Sequence, residues 1–88
     1  EPYNNLAALY ASQNELEKAR TALEMAVRMN PSYAIAHENL GDIYARMAGQ
    51  SYGRALQLEP ANPLLQTKIN LLRELPTAGA KGKPAAKK

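Results

Sequence analysis

The side chains most capable of chemistry in this chain stand close together, at His37, Glu38 and Asp42. Glu38 and Asp42 are four residues apart, so on a helix both carboxylates share one face and could act as a general acid and base. The same spacing suits a solvated polar face, and Asp42 also precedes Arg46 by four residues, the spacing of a helical ion pair. We favour the polar face, because this part of the helix is predicted to be solvated.

His37 is the single histidine, and no second His or Cys stands at metal-ligand spacing. We therefore interpret it as a packing residue rather than a catalytic or metal-binding one. The methionines suit gap filling in a core, and the glycines are spread along helix rather than grouped into a phosphate-binding loop. These residues are Met25, Met29 and Met47, and Gly41, Gly49 and Gly53. The sequence predicts a chain that is not an enzyme and has no metal or cofactor.

The composition is that of one small soluble domain, because 45% of the 88 residues are hydrophobic and 22% are charged. Cysteine is absent from the sequence, which excludes disulfides and thiolate chemistry and leaves the compartment undetermined. No apolar run approaches the roughly 20 residues of a membrane span, so we expect no membrane insertion. The start at Glu1 resembles no signal peptide and leads directly into helical sequence, which we interpret as the beginning of an excised piece.

The net charge of +3 comes from the C-terminal end. Residues 76–88 hold four lysines and no acid, which leaves seven basic and eight acidic side chains in residues 1–75. Four lysines without aromatic residues give only a weak, salt-sensitive attraction to nucleic acid or anionic lipid. We therefore predict a folded domain at 1–75 and a disordered, solubilising Lys/Ala-rich tail at 76–88, and we expect no nucleic-acid partner.

Apolar residues at three- and four-residue spacing predict helices through most of residues 1–75. Residues that favour helix starts stand before three of these segments, and prolines mark several of their ends. The expected helical spans are 3–11, 14–30, 32–59 and 63–75. The expected N-terminal caps are Asn14 in a capping box with Glu17, then Ser32, then Asn62 before Pro63.

Two parts of the chain repeat each other. An offset of 34 residues relates Tyr3, Leu6, Ala7 and Tyr10 to His37, Leu40, Gly41 and Tyr44. An offset of 29 residues relates Ala19, Leu23, Ala26 and Pro31 to Ala48, Tyr52, Ala55 and Pro60. A unit of aromatic-x2-Leu-Gly/Ala-x2-Tyr, then Ala, a large apolar residue, Ala and Pro, resembles the tetratricopeptide repeat (TPR). The resemblance covers residues 1–75 and implies an all-α array of helical hairpins with about two repeats and a C-terminal helix.

The change of offset from 34 to 29 means that five residues are missing inside the second unit. Tyr10 and Ala19 are nine residues apart with a turn between them, whereas Tyr44 and Ala48 are four apart, which is one helical turn. Because the apolar stripe stays in phase across this point, we predict one continuous helix from about residue 32 to 59, roughly 40 Å long. The alternative is a kink at Gly49, since glycine weakens a helix by about 1 kcal/mol.

A fused helix cannot fold back on itself, so the apolar side chains that would face each other inside the unit lose their partner. We expect them to form an exposed patch that a second copy of the chain covers, which gives a two-fold homodimer. The predicted self-association residues are Tyr44, Met47, Ala48, Tyr52 and Leu56.

TPR arrays form superhelices whose concave face binds peptide segments of partner proteins, so the resemblance implies a peptide-binding groove here. Polar amides in such a groove suit a peptide backbone. The implied lining is Asn4, Asn5, Ala8 and Ser12 from the first unit, Ile35, Glu38, Asn39, Asp42 and Arg46 from the second, and Leu64, Lys68 and Leu71 from the last helix.

One sub-class of the family binds the C-terminal carboxylates of chaperones through a clamp of Lys, Asn, Asn, Lys and Arg. The matching places hold Asn4, Ala8, Asn39, Leu64 and Lys68, so Asn39 alone agrees and no chaperone-tail receptor is expected. Two functions stay open: an adaptor or scaffold that binds a protein or peptide in the groove, and a structural element that homodimerises through the long helix. The general character of the sequence resembles that of bacterial repeat proteins, and it does not indicate a cellular compartment.

Overall fold

The computed structural model of the chain describes residues 2–76, and this part forms four α-helices and no strand. The helices are α1 (Pro2–Ser12), α2 (Leu16–Met29), α3 (Ala34–Leu58) and α4 (Pro63–Arg73). The all-α array predicted from the sequence is confirmed. The tail predicted to be disordered lies, from residue 77 onward, outside the described residues. Within residues 2–76, no helix combines the length and the hydropathy that crossing a membrane requires.

Small residues bring α1 and α2 together as a hairpin. Ala7 of α1 and Ala19 of α2 are at most 2% exposed, so the two backbones can approach closely. Leu23 is 1% exposed and fills the remaining space, a burial that contributes about 1.5–3 kcal/mol. The first repeat is therefore packed as its sequence predicts.

The central helix of the core is α2. Five of the eight buried hydrophobic residues belong to it, because its apolar positions recur every three or four residues and it has a helix packed on either side. The eight are Ala7, Leu16, Ala19, Ala22, Leu23, Ala26, Ala36 and Ile43.

The turn between α1 and α2 is a helix C-cap rather than the predicted capping box. Asn14 adopts a left-handed backbone with φ of 59°, which asparagine tolerates better than most residues. The Glu15 N–H donates to Tyr10 O at 2.9 Å and the Asn14 N–H to Ala11 O at 2.9 Å, the two bonds of a Schellman motif. The capping-box prediction was wrong because Asn14 closes the preceding helix, and α2 begins at Leu16 with Glu15 as its N-cap.

The turn between α2 and α3 begins at Asn30, the C-cap of α2, as the following proline predicts. Tyr33, not Ser32, is the N-cap of α3, so the predicted Ser32 cap was wrong. Backbone bonding holds this turn, with the Tyr33 N–H donating to Asn30 O at 3.0 Å. His37 is exposed rather than packed, and its Nε2 lies 2.9 Å from Pro31 O, so the ring closes the turn as a hydrogen-bond donor.

The long helix α3 is continuous across Gly49, as predicted. Its 25 residues are about 38 Å long. The first half packs on α2 through Ala36 and Ile43, both at most 5% exposed. The second half packs on α4 from a different side, where Leu72 Cδ1 would lie 3.8 Å from a Cβ built on Gly49.

A side-chain cap begins α4. Asn62 Oδ1 accepts a hydrogen bond from the Leu64 N–H at 3.0 Å, and Pro63 occupies the first turn, so the predicted start is confirmed. The helix ends at Arg73, two residues before the predicted Leu75.

Candidate functional site

Polar side chains hold α1 beside α3, so the first helices of the two units are neighbours. Asn39 Nδ2 donates to Asn4 Oδ1 at 3.0 Å. At the other end of α1, Arg46 Nη2 donates to Asn14 Oδ1 at 3.1 Å and lies 3.4 Å from Ala11 O. The two contacts link α1 with α3 near both ends of α1.

The side chains predicted to line a groove lie mostly on this pair of helices, and we call them the open face. Some are exposed and the rest are half-buried along the junction of the two helices. The exposed members are Asn5, Ala8, Ser12, Ile35, Glu38 and Arg46, and the half-buried members are Asn4, Asn39 and Asp42. Amide groups carry both a donor and an acceptor, which matches the alternating N–H and C=O groups of an extended peptide.

The predicted groove residues of the last helix, Lys68 among them, are placed elsewhere. Its Nζ lies 5.4 Å from the centroid of the Tyr52 ring, a cation–π contact between α4 and α3. Tyr52 follows Asn39 by thirteen residues, which is about 20 Å along the helix. Leu64 and Leu71, on the same helix as Lys68, are 62% and 59% exposed. Hydrogen bonds therefore connect Asn4 with Asn39 and Arg46 with the end of α1, whereas Lys68 contacts the second half of α3.

An open cleft of about 380 Å³ adjoins the open face where α3, α4 and the turn after α1 meet. Leu16, Ile69 and Leu72 give it apolar walls, and Arg46 and Arg73 bring two guanidinium groups. Within the described residues its lining contains no acid. The full lining is Asn14, Leu16, Ala45, Arg46, Gly49, Gln50, Ile69, Leu72, Arg73 and Leu75. Such a cleft suits an apolar side chain next to a carbonyl or carboxylate oxygen.

Comparison with known proteins agrees with this architecture. A sequence profile of the TPR repeat matches residues 8–47. The tetratricopeptide repeat domain-containing protein PYG7, chloroplastic, of Arabidopsis thaliana is 30% identical over 77 residues. That similarity covers 82% of this chain and 26% of the relative, so the chain spans about a quarter of that protein's length. No solved structure matches the chain.

The profile match and this relative support the assignment of the chain to the tetratricopeptide repeat family. TPR repeats generally mediate protein–protein interaction, and proteins of the family are typically interaction modules rather than enzymes. The matched TPR segment ends at Met47, halfway along α3, where the second repeat lacks its turn. The second half of α3 and α4 therefore lie outside the matched segment.

A polar network on α2 ties this TPR array together away from the open face. Arg20 Nη2 lies 2.6 Å from Glu17 Oε1, and Arg20 Nη1 lies 3.2 Å from Glu24 Oε2. The Tyr44 hydroxyl of α3 donates to the same Glu24 oxygen at 3.1 Å. The hydrogen bond to Glu17 raises the pKa of Arg20, and the hydrogen bond to Glu24 raises the pKa of Tyr44. The network thus favours the protonated form of both groups.

The residues predicted for self-association occupy different environments. Tyr44 is 46% exposed, and Met47 packs against the TPR core. Ala48, Tyr52 and Leu56 are half-buried on the second half of α3.

Sequence reasoning missed the cleft and the network for different reasons. Glu17, Arg20 and Glu24 follow one another at three- and four-residue spacing, so helical periodicity alone could have found their ion pairs. The presence of Leu16 and Arg73 in the lining of one cleft depends on where α4 lies relative to α3. No local pattern in the sequence specifies that placement.

Proposed function

We propose that the chain is a non-enzymatic TPR module that binds an extended peptide segment of a partner protein across the open face. The observation that carries this proposal is the contact of Asn4 with Asn39. This hydrogen bond between the two helices supports a single binding surface made by their outward polar side chains, rather than two separate helix faces.

The chemistry of the open face suits a peptide backbone. The exposed amide of Asn5 and the half-buried amide of Asn39 can pair with peptide groups, and Ala8 between them leaves room for a chain to lie close to α1. Glu38 and Arg46 carry opposite charges at the two ends of this part of α3. Mixed charge indicates a peptide of no strong net charge rather than a polyanion.

The adjoining cleft gives such a peptide an anchor. Leu16 at its base is 5% exposed, so an apolar side chain entering here meets the TPR core. Arg46 and Arg73 stand where they can donate to a carbonyl or carboxylate of the same residue or the next one. A buried apolar anchor with polar groups around it is the arrangement that carries most of the energy in peptide recognition.

The experiment places a photo-crosslinking amino acid at Ala8, and in a second protein at Ala61, which is exposed in the turn before α4. In extract from the source cell we expect the Ala8 probe to form an adduct with a peptide segment of another protein. The adduct maps the ligand sequence, which is then synthesised and titrated against the chain.

The matched variants are Ala8→Arg and Ala61→Arg, since both add one large cation at an exposed alanine. We expect Ala8→Arg to weaken binding of the synthesised peptide at least about tenfold and Ala61→Arg to leave it unchanged. Equal affinities for the two variants, or adducts from the Ala61 probe alone, would refute binding at the open face.

A further inference from the structure

One side of α3 is exposed at most of its positions and half-buried at Ala48 and Ala55, and we call it the seam. Its residues follow one another at spacings of three, four and seven, so they lie on one side of the helix. Gly41 has no atom of another element within 4 Å of where a Cβ would stand, among the described residues, and Leu58 is 83% exposed. The seam consists of His37, Gly41, Tyr44, Ala48, Ala55 and Leu58.

The first repeat shows what normally covers these positions. Gly41 and Tyr44 match Ala7 and Tyr10 of α1, while Ala48 and Ala55 match Ala19 and Ala26 of α2. In the first repeat those residues face each other across the hairpin, and its three alanines are at most 2% exposed. The seam therefore carries both halves of a hairpin interface, placed end to end on one helix.

The same molecule cannot bring the two halves into contact. From Tyr44 to Ala48 the chain is continuous helix, so the second half points away from the first. Within residues 2–76 the other nearby element, α4, packs on the Gly49 side of α3 and leaves Ala48 and Ala55 half-buried rather than covered. The surface that complements each half of the seam is the other half, and a second copy of the chain supplies it.

We propose that two copies pair through antiparallel α3 helices, the first half of each seam lying on the second half of the other. In this register Tyr44 faces the partner's Ala48, and His37 faces the partner's Ala55. Each contact occurs twice around a two-fold axis that passes between the levels of Tyr44 and Ala48, so the interface is closed and self-complementary. Gly41 permits the close approach, about 8–10 Å between axes, that the small residues permit inside the first repeat.

Two observations select a second copy over an unrelated partner. The seam continues the existing core, because Leu40 and Met47, beside it on α3, already pack against the buried residues of α2. It also contains no Asp, Glu, Lys or Arg, which is the composition of an interface centre. Glu38 and Asp42 of the open face lie on another side of α3, so this dimer does not depend on the proposed peptide binding.

The first test is the mass of the chain in solution, with two glycine variants. Gly41→Glu puts a charge in the seam, and Gly53→Glu puts one on α3 outside it; both positions have open space for a side chain among the described residues. We expect the wild type and Gly53→Glu to sediment at twice 9.6 kDa at high micromolar concentration, and Gly41→Glu to have a dissociation constant at least about tenfold higher. A wild-type mass of one chain, or equal behaviour of the two variants, overturns the proposal.

The second test measures the register of the two α3 helices. Because the sequence contains no native cysteine, any disulfide must join the introduced residues. His37→Cys chains mixed with Ala55→Cys chains should form an intermolecular disulfide, while neither variant alone should, because two copies of the same position lie about 27 Å apart along the seam. Intermolecular disulfides in a sample of either variant alone would show that the two α3 helices pair in parallel. Failure of the mixture to link while the wild type dimerises would show a different interface, and either result overturns the proposal.

Discussion

Tyr44 belongs both to the repeat pattern and to a polar contact outside it. It occupies the position of Tyr10 in the first repeat, yet it is 46% exposed, because the helix that should cover it continues in the same direction. Its hydroxyl donates to Glu24 Oε2 and so joins α3 to α2. At the scale of the residue, a position that usually only packs also supplies a hydrogen bond.

This hydrogen bond makes stability depend on pH in the alkaline range. The pKa of Tyr44 is raised above its ordinary value of 10.0, chiefly by the hydrogen bond to Glu24, so the neutral phenol is the stabilising form. Its contribution is complete below the ordinary tyrosine pKa and is lost as the pH rises through the raised pKa of the folded chain. We expect the difference in unfolding free energy between the wild type and Tyr44→Phe to shrink as the pH passes about 10.

Urea titrations across that range measure the effect, and Glu24→Ala is the control. In the Glu24→Ala background the Tyr44→Phe difference should lose most of its pH dependence, because both the acceptor of the hydrogen bond and the charge that opposes a phenolate are gone. A difference that is constant with pH in the wild-type background would contradict the role assigned to this bond.

At the scale of elements, the helix starts divide into those made by side chains and those made by backbone. Asn62 caps α4 through its side chain, whereas α2 and α3 begin after turns held by backbone hydrogen bonds. Asn14 and Ser32 have the residue types of caps, but Asn14 adopts the left-handed conformation that ends α1. Residue type alone therefore does not decide between starting one helix and ending another.

Asn62→Ala and Ser32→Ala form a matched pair that tests this distinction. Removing the Asn62 side chain leaves the Leu64 N–H without its partner and should lower the unfolding free energy by about 0.5–2 kcal/mol. Ser32→Ala should change it by less than about 0.5 kcal/mol. Equal losses, measured by urea denaturation, would mean that Ser32 contributes a cap after all.

Much of the fold could be predicted from the sequence because its strongest signals are periodic. The offsets of 34 and 29 predict two units and the continuous α3, and the stripe of Leu23 and its neighbours predicts the core. Lys68 was assigned to the groove on the assumption of a regular superhelix. With α3 unbroken, α4 follows the second half of that helix, which places Lys68 beside Tyr52. The predicted groove therefore cannot extend to Lys68, beyond the irregular point of the repeat.

At the scale of the whole molecule, the five missing residues should account for the architecture. Inserting a second copy of Gln13–Glu17 between Arg46 and Met47 restores the offset of 34 throughout. We expect this variant to form a turn, so that its second hairpin closes and Tyr44 becomes covered within one chain. The matched control inserts five alanines at the same place, which lengthens α3 without providing a turn.

Spin labels on cysteines at His37 and Ala55 measure the outcome, with labelled chain diluted into unlabelled chain. The labels should be about 27 Å apart in the wild type and farther apart in the alanine control, but within about 10 Å of each other in the Gln13–Glu17 insertion. An insertion variant that keeps the wild-type separation would show that the long helix does not result from the missing turn.

The turn at Gln13–Glu15 also sets the effective concentration of α2 relative to α1. It holds α2 against α1 as if the two helices were present at millimolar concentration or more, so that contact is always made. In the proposed dimer no turn plays this role for the second repeat, so the matching contact would depend on how much of the chain the cell contains. On that proposal the five missing residues convert a permanent contact into one that responds to abundance, and a partner bound to the paired form would add its own dependence on concentration.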